Sequence, residues 1–156
     1  MAERVAVLAG LTEIAAGAVP RPGAVELVAR LRSVGLPLAV ASNSPRRHLL
    51  AGLHRTGLHD AFDVVLGMDD VASPKPAPDL YLAACAGLVA QPQDAVALED
   101  SPPGVAAARA AGLRVIGIPS VAGVILTSDL VAASLADAAV HRALGLEPDA
   151  SERSES

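Results

Sequence analysis

Two adjacent acids, Glu99 and Asp100, stand where a short apolar run, residues 95–98, stops abruptly. The run has the length of a buried strand, and a Ser-Pro-Pro-Gly turn and an alanine-rich helical segment, residues 105–111, follow it. In open α/β sheets, the carboxyl ends of the strands are where ligands and ions bind. Two carboxylates at such an end suit a hard cation such as Mg2+. The alternative is an acidic loop that stabilises the next helix through its N-terminal dipole.

A second pair of polar residues, Ser42 and Asn43, follows another apolar run, residues 37–41. Pro45 suits the first turn of a helix, and the start of that helix offers free backbone N–H groups and a positive dipole end to an anion. The Ser42 hydroxyl can add a donor to this anion site. Ordinary N-capping of the helix by Ser44 would explain the same pattern.

The third candidate is Lys75, the only lysine in the chain. Pro74 and Pro76 restrict the backbone on either side of it, so the loop over residues 67–78 is expected to present the lysine stiffly. A stiffly presented ammonium can place a point charge against a phosphate group. A solvated loop lysine is the simpler alternative.

Alternating strand-like and helix-like segments must position these residues. Apolar runs predict strands at 37–41, 63–66, 95–98 and 114–118, and helical spacing predicts helices at 24–34, 45–55, 79–86 and 105–111. This alternation indicates an α/β fold with a parallel sheet and right-handed crossovers. All three candidate groups then face one edge of the sheet. Together they supply most of a site for phosphoryl transfer: a hydroxyl, free backbone N–H groups, a cation and carboxylates.

The two ends of the chain are less regular. The spacing of apolar residues over residues 2–16 predicts a helix, although residues 4–11 also fit a strand. Near the other end we expect a short strand at 124–126 and a helix at 130–144. Residues 147–156 are charged and serine-rich, which is typical of a disordered tail.

Composition excludes several classes of function. The formal net charge of −5 argues against a nucleic-acid partner, because nucleic-acid binders carry clustered basic surface. The single cysteine, Cys85, excludes an internal disulfide framework and suits packing in the core. The sequence shows neither a signal-peptide pattern nor an apolar run long enough to span a bilayer, so we expect a cytoplasmic protein with no membrane partner.

Three motifs in this order, LAVASNS, SPKPAPDLYLAA and ALEDSPPGVAAARAAG, resemble the haloacid dehalogenase-like (HAD) hydrolase superfamily, in the branch of beta-phosphoglucomutases and phosphoglycolate-type phosphatases. The resemblance runs from about residue 19 to residue 130. It implies a Rossmann-like core and a Mg2+-dependent phosphatase or phosphomutase acting on a small phosphorylated metabolite. By the same resemblance, Ser42 and the backbone at Asn43 bind phosphate, and Lys75 balances its charge. Glu99 and Asp100 hold Mg2+, directly or through water.

The sequence departs from that family at the catalytic Asp-x-Asp motif, whose first aspartate attacks phosphorus. The first aspartate of this chain is Asp60, which follows the Ser42 motif. We therefore expect the first core strand and the nucleophile to be absent. Residues 1–20 would then be a remnant of the family's cap helix with its connector, 21–146 the core and 147–156 the tail. Without that strand, either the strands at 37–41 and 95–98 pair directly or two unpaired edges remain, and unpaired edges are open to self-association.

Three explanations of the missing motif stay open. The chain is a truncated or mis-started copy of a longer enzyme, a non-catalytic remnant that binds phosphate or a protein partner, or a rearranged fold in which residues 4–11 supply the strand. In the first two cases residues 1–156 alone should not hydrolyse a phosphomonoester, because covalent catalysis needs a positioned carboxylate.

Overall fold

A computed structural model describes residues 21–119 and 123–146, and the backbone of residues 5–8. Within these ranges six parallel strands form one sheet in the order β3-β2-β1-β4-β5-β6. The α/β fold and the parallel sheet predicted from the sequence are confirmed. The strands are β1 (Val5–Leu8), β2 (Leu38–Ala41), β3 (Val64–Leu66), β4 (Ala95–Glu99), β5 (Arg114–Gly117) and β6 (Leu130–Val131).

Five α-helices and three short 3-10 turns connect the strands in the described ranges. Their start and stop signals are local, as when Gly57 and Gly112 end their helices in the left-handed conformation. No helix in these ranges is both long and apolar enough to cross a membrane. The helices are α1 (Ala24–Ser33), α2 (Arg46–Thr56), α3 (Asp79–Gly87), α4 (Pro102–Ala111) and α5 (Ala138–Ala143).

Two apolar clusters cover the two faces of the sheet. Leu38 and Val40 of β2 pack with α1, α2 and α5 on one face, whereas Ala39 and Ala41 pack with α3 and α4 on the other. Because side chains alternate along a strand, β2 and β4 direct their larger residues to the first face and their alanines to the second. Small residues on the second face let α3 and α4 approach the sheet closely; α3 carries Tyr81, whose side chain reaches Glu99 at the end of β4, and α4 places the backbone of Gly104 against the same carboxylate.

The prediction of a helix over residues 2–16 is wrong at residues 5–8, which form the central strand β1. Its backbone pairs with β2 at Ala6↔Leu38 and with β4 at Leu8↔Leu98. Valine and alanine at these positions fit either periodicity, and pairing with strands on both sides favours the extended form. The expectation that the first core strand is missing is therefore also wrong, and the alternative strand reading is confirmed for these residues. The rest of the segment 1–20 lies outside the described residues.

The presence of β1 removes the basis for the predicted self-association through unpaired sheet edges. Without β1, either β2 and β4 would have paired directly or their facing edges would have been unpaired, and we predicted self-association through such unpaired edges. Both edges are paired with β1, so the ends of the sheet within the described ranges are β3 and β6.

The C-terminal predictions are also wrong in detail. Residues 124–127 have no regular structure, and the region predicted as one long helix holds β6 and then α5. The helix starts only at residue 138 because the Asp137 carboxylate accepts the Ala139 N–H at 2.9 Å and caps it. Upstream, Ala132 N–H donates to Gly117 O at 2.9 Å, which holds the preceding segment against β5. The predicted tail, residues 147–156, lies outside the described residues.

Replacing Val89 with glycine should stabilise the fold. Val89 follows α3 with φ of 54°, a left-handed conformation that is costly for a β-branched residue, and its side chain is 94% exposed. The Ala90 N–H donates to Cys85 O at 2.9 Å, as in helix ends that normally carry glycine at this position. We expect a gain of about 1 kcal/mol in the free energy of unfolding, measured by urea denaturation.

The control is Val89→Ala, which shortens the same exposed side chain but keeps a Cβ in the left-handed conformation. Val89→Ala should raise the free energy of unfolding much less than Val89→Gly does. Equal gains from alanine and glycine would assign the effect to the loss of exposed apolar surface and not to the backbone.

Candidate functional site

The predicted site residues meet at the carboxyl edge of the sheet. Ser42 and Asn43 follow β2, Glu99 ends β4, and Asp100 comes directly after it. Lys75 lies on the loop between β3 and α3, and its side chain reaches the end of β2, where Nζ donates to Ala41 O at 3.0 Å. The structure thus joins Asn43, Lys75 and Glu99 through direct hydrogen bonds.

Asn43 fixes the lysine loop through its side chain. Its Oδ1 accepts the Lys75 backbone N–H at 2.9 Å, and its Nδ2 donates to Lys75 O at 3.1 Å. This two-bond contact pairs the amide with the lysine backbone as a neighbouring strand would. In the described part of the chain the Asn43 backbone N–H donates to no protein atom. That N–H is therefore available to a ligand.

The Lys75 ammonium is held by two acceptors. Besides Ala41 O, it donates to Glu99 Oε1 at 2.6 Å. The Lys75 side chain is 8% exposed and that of Glu99 is 1% exposed, so this is a buried ion pair and not a solvated loop lysine. An ammonium has three hydrogens. Within the described ranges its third hydrogen has no protein acceptor, which leaves one donor for a bound anion.

Two residues that the sequence analysis did not assign to the site, Tyr81 and Gly104, hold the Glu99 carboxylate. The Tyr81 hydroxyl donates to Glu99 Oε1, the same oxygen that accepts from Lys75. On the other side, a Cβ built on Gly104 would lie 1.9 Å from Glu99 Oε2. The signals available in the sequence were weak: Tyr81 is the sole tyrosine, and Gly104 completes the Ser-Pro-Pro-Gly turn.

Asp100 differs from its neighbour Glu99 in being unpaired. It is 7% exposed, and its Oδ2 is buried without a hydrogen-bond partner in the described residues. The alternative role as a helix cap falls to Ser101, whose Oγ accepts the Gly104 N–H at 3.4 Å. A buried carboxylate oxygen without a partner fits a cation ligand, because such groups otherwise cost several kcal/mol.

The donor set at this edge fits Mg2+ only in part. Mg2+ is commonly held by one or two carboxylates together with substrate phosphate and water. Asp100 meets that description, whereas one oxygen of Glu99 is already engaged with Lys75 and Tyr81. No group of three or more His, Cys, Asp or Glu side chains suited to a metal occurs in the residues that the structure describes. The assignment of Glu99 to Mg2+ stays a prediction.

At the start of α2, the first backbone N–H is bound by a side chain that neither the anion-site prediction nor the Ser44-cap prediction named. Ser44 does not cap the helix with its side chain; the Arg46 N–H instead donates to Asp69 Oδ1 at 2.7 Å. This hydrogen bond lowers the pKa of the Asp69 carboxyl. Ser42 Oγ accepts the Ser44 N–H at 3.1 Å, so the Ser42 hydroxyl hydrogen is free to donate elsewhere. Within the described residues, the donors left without a protein acceptor here are the Ser42 hydroxyl and the Asn43 N–H, just before the helix.

Tyr81 makes the protein sensitive to alkaline pH. Burial, together with the charge of Glu99 and the hydrogen bond to it, raises the pKa of Tyr81 well above its usual value. The unfolded chain releases this proton near pH ~10, before the folded chain does, so stability is full below that pH and falls as the pH rises further. Absorbance of tyrosinate reports this residue alone, since the chain has one tyrosine.

We expect no tyrosinate signal until circular dichroism shows unfolding, and a shallower alkaline loss of stability in Tyr81→Phe. The chain in urea is the control and should titrate near pH ~10. A tyrosinate signal at that pH in a chain with native circular dichroism would contradict the buried hydrogen bond.

Comparisons with known proteins identify the family to which this chain is similar. A model of the haloacid dehalogenase-like hydrolases matches residues 2–112. The chain is 45% identical over 102 residues to Protein CbbY of Rhodobacter capsulatus, covering 64% of this chain and 45% of that protein. It is 37% identical over 114 residues to validoxylamine A 7'-phosphate phosphatase of Streptomyces hygroscopicus subsp. limoneus, covering 73% and 53%. The chain thus spans about half the length of these relatives.

Solved structures give the same result. A HAD family hydrolase from Deinococcus radiodurans R1 with bound phosphate and sodium superposes with a TM-score of 0.76 at 33% identity, over 85% of this chain and 64% of that one. CbbY from Rhodobacter sphaeroides in complex with xylulose-(1,5)bisphosphate has a TM-score of 0.73 at 35% identity, over 76% and 56%. These likenesses confirm the resemblance that the three motifs suggested.

Proposed function

We propose, since this chain belongs to the haloacid dehalogenase-like hydrolases, that it binds the phosphate group of a small phosphorylated metabolite at the carboxyl edge of its sheet. The observation that carries the proposal is the buried Lys75 ammonium, held by Ala41 O and Glu99 with one hydrogen left over. The free Asn43 N–H and the Ser42 hydroxyl supply two further donors at the same edge.

The chemistry of these donors favours a phosphate monoester. A point charge, a backbone N–H and a hydroxyl suit the oxygens of a phosphate group, which accept several hydrogen bonds at once. Support comes also from the relatives, one of which is a phosphatase of a 7'-phosphate and another of which was solved with a sugar bisphosphate. From these two relatives we infer a phosphorylated small molecule as the substrate class here, and a reaction of the phosphatase or phosphomutase type.

We further propose Mg2+ as the cofactor, with Asp100 as one ligand and Glu99 as a second ligand. When bound, Mg2+ would neutralise charge on the phosphate oxygens. The residues of the chain do the remaining work: Lys75 balances charge, Ser42 and the Asn43 N–H orient the phosphate, and Asp100 places an unpaired carboxylate beside it.

Hydrolysis by residues 1–156 alone is not part of the proposal. The family resemblance places an aspartate nucleophile on the first core strand, whereas the residues directly after β1, Ala9-Gly10-Leu11-Thr12, include no aspartate, and the first acid after them is Glu13. Without an aspartate at that position, the covalent step that the resemblance implies lacks its usual acceptor. The second candidate function is therefore a non-catalytic module that binds phosphate compounds or a protein partner.

Calorimetric titration with inorganic phosphate tests the binding site. We expect the wild-type chain to bind, and Ser42→Ala to bind about tenfold more weakly because it loses one donor to a charged group. Ser44→Ala is the matched control, since it alters an exposed serine two positions away and should not change binding. Equal binding by both variants would overturn the assignment of Ser42.

Turnover of p-nitrophenyl phosphate with Mg2+ separates the two candidate functions. We expect none above the buffer blank. Turnover that disappears in Asp100→Asn would show that the chain is a complete phosphatase and would overturn the non-catalytic expectation.

A further inference from the structure

We propose that Tyr81 is a positioning residue of the phosphate site, which aims the free hydrogen of the Lys75 ammonium at the bound anion. The inference rests on the proposed function, and it concerns a residue that contacts no ligand itself. Tyr81 lies on α3, is 0% exposed, and belongs to the apolar cluster between that helix and the sheet.

The first observation is that Tyr81 and Lys75 share one acceptor. Both the Tyr81 hydroxyl and Lys75 Nζ donate to Glu99 Oε1. A carboxylate held by one donor can rotate about its terminal bond and present either oxygen. The hydrogen bond from the Tyr81 hydroxyl restricts that rotation, and so does the close packing of Glu99 Oε2 against Gly104.

The second observation is that the Tyr81 ring also contacts the ammonium directly. Lys75 Nζ lies 5.0 Å from the ring centroid, within the range of cation–π attraction. The ammonium is thus fixed by Ala41 O, by Glu99 and by the ring. Two hydrogens of a tetrahedral ammonium with fixed partners determine the direction of the third. That third hydrogen is the one that we assign to phosphate.

A purely structural role for Tyr81 makes a different prediction. A buried ring that only fills space would be replaced by phenylalanine with little effect on the site, since the ring and its contact with Lys75 remain. A positioning role requires the hydroxyl, because the hydroxyl is what holds Glu99 Oε1. Tyr81→Phe therefore separates the two roles without creating a cavity.

The composition of the chain allows the lysine to be observed alone. Because Lys75 is the only lysine, feeding carbon-13 lysine labels a single side chain in the full-length protein. Its two Hε protons differ in chemical shift when the side chain is held in one orientation and become equivalent when it rotates. Titration with inorganic phosphate followed at the same resonance gives the affinity.

We expect Tyr81→Phe to bind phosphate about tenfold more weakly and to lose the difference between the two Hε shifts. Cys85→Ala is the matched control: Cys85 lies on the same helix and in the same cluster, at 2% exposure, and contacts neither Lys75 nor Glu99 through a hydrogen bond in the described residues. It should lower thermal stability while leaving both readouts unchanged.

Wild-type affinity in Tyr81→Phe, or an equal loss in Cys85→Ala, would overturn the positioning role. If the wild-type chain binds no phosphate, the proposed function fails, and the Hε shifts still decide separately whether Tyr81 fixes the orientation of the Lys75 ammonium. Equivalent Hε shifts in the wild-type chain would then overturn it, and a difference lost only in Tyr81→Phe would support it.

Discussion

Replacing Lys75 with methionine is expected to lower the free energy of unfolding by about 3 to 5 kcal/mol. The substitution keeps the length and the apolar stem of the side chain but leaves the Glu99 carboxylate, 1% exposed, without its cation. A buried charge without a partner costs far more than the pair contributes when it is intact. Ala41 O loses its side-chain donor as well. Urea denaturation measures the change.

The exposed ion pair between Arg32 and Asp63 provides the matched control. Its side chains are 44% and 45% exposed, so Arg32→Met should cost less than about 1 kcal/mol. Adding Glu99→Gln to Lys75→Met should recover at least about 2 kcal/mol, because the neutral amide oxygen can still accept from Tyr81. A cost of Lys75→Met no greater than that of Arg32→Met would contradict a buried, desolvated pair.

Local signals in the sequence were enough to predict most elements of the core. Apolar runs of strand length and glycine or proline at helix ends located β2, β4 and β5 and helices α1 to α4 to within a few residues. The strand β1 was predicted only as the alternative to a helix, because the apolar residues 5–8 satisfy helical and extended periodicities alike. Only the presence of β2 and β4 on either side decides between them, and that information is not local.

The site could be predicted as a set of residues but not as a set of contacts. The order of the motifs and the parallel sheet brought Ser42, Lys75 and Glu99 to one edge. Glu99 is the last residue of β4 and Asp100 lies just beyond the strand, so the two side chains meet different neighbours. Glu99 is engaged with the lysine, while Asp100 is left with an unpaired oxygen. Spacing alone does not reveal which acid takes which role.

Tyr81 illustrates the other limit of prediction from sequence. Its ring could be placed on the apolar side of α3 from helical spacing, since Cys85 shares that side. Its hydroxyl contacts an acid on β4, eighteen positions further along the chain. Such a contact depends on how α3 packs on the sheet, which no local pattern determines. Gly104 is similar, because its lack of a side chain matters only once Glu99 is in place.

Replacing Gly104 with alanine is the second large effect that we expect. In an ordinary helix this change would gain up to about 1 kcal/mol, because glycine is the poorer helix former. Here the new Cβ would lie 1.9 Å from Glu99 Oε2 and 2.1 Å from its Cδ, so the carboxylate must move. Moving it breaks hydrogen bonds to Lys75 and Tyr81, each worth roughly 1.5 to 3 kcal/mol as bonds to a charged group.

The loss therefore outweighs the gain, and we expect Gly104→Ala to cost about 2 to 5 kcal/mol in urea denaturation. The same alanine in a Glu99→Ala background meets no carboxylate, so there it should be neutral or stabilise by up to about 1 kcal/mol relative to Glu99→Ala alone. That reversal of sign distinguishes a clash with Glu99 from a general intolerance of α4 to a side chain. If alanine is equally destabilising in both backgrounds, the close contact between Gly104 and Glu99 is not what keeps glycine at this position.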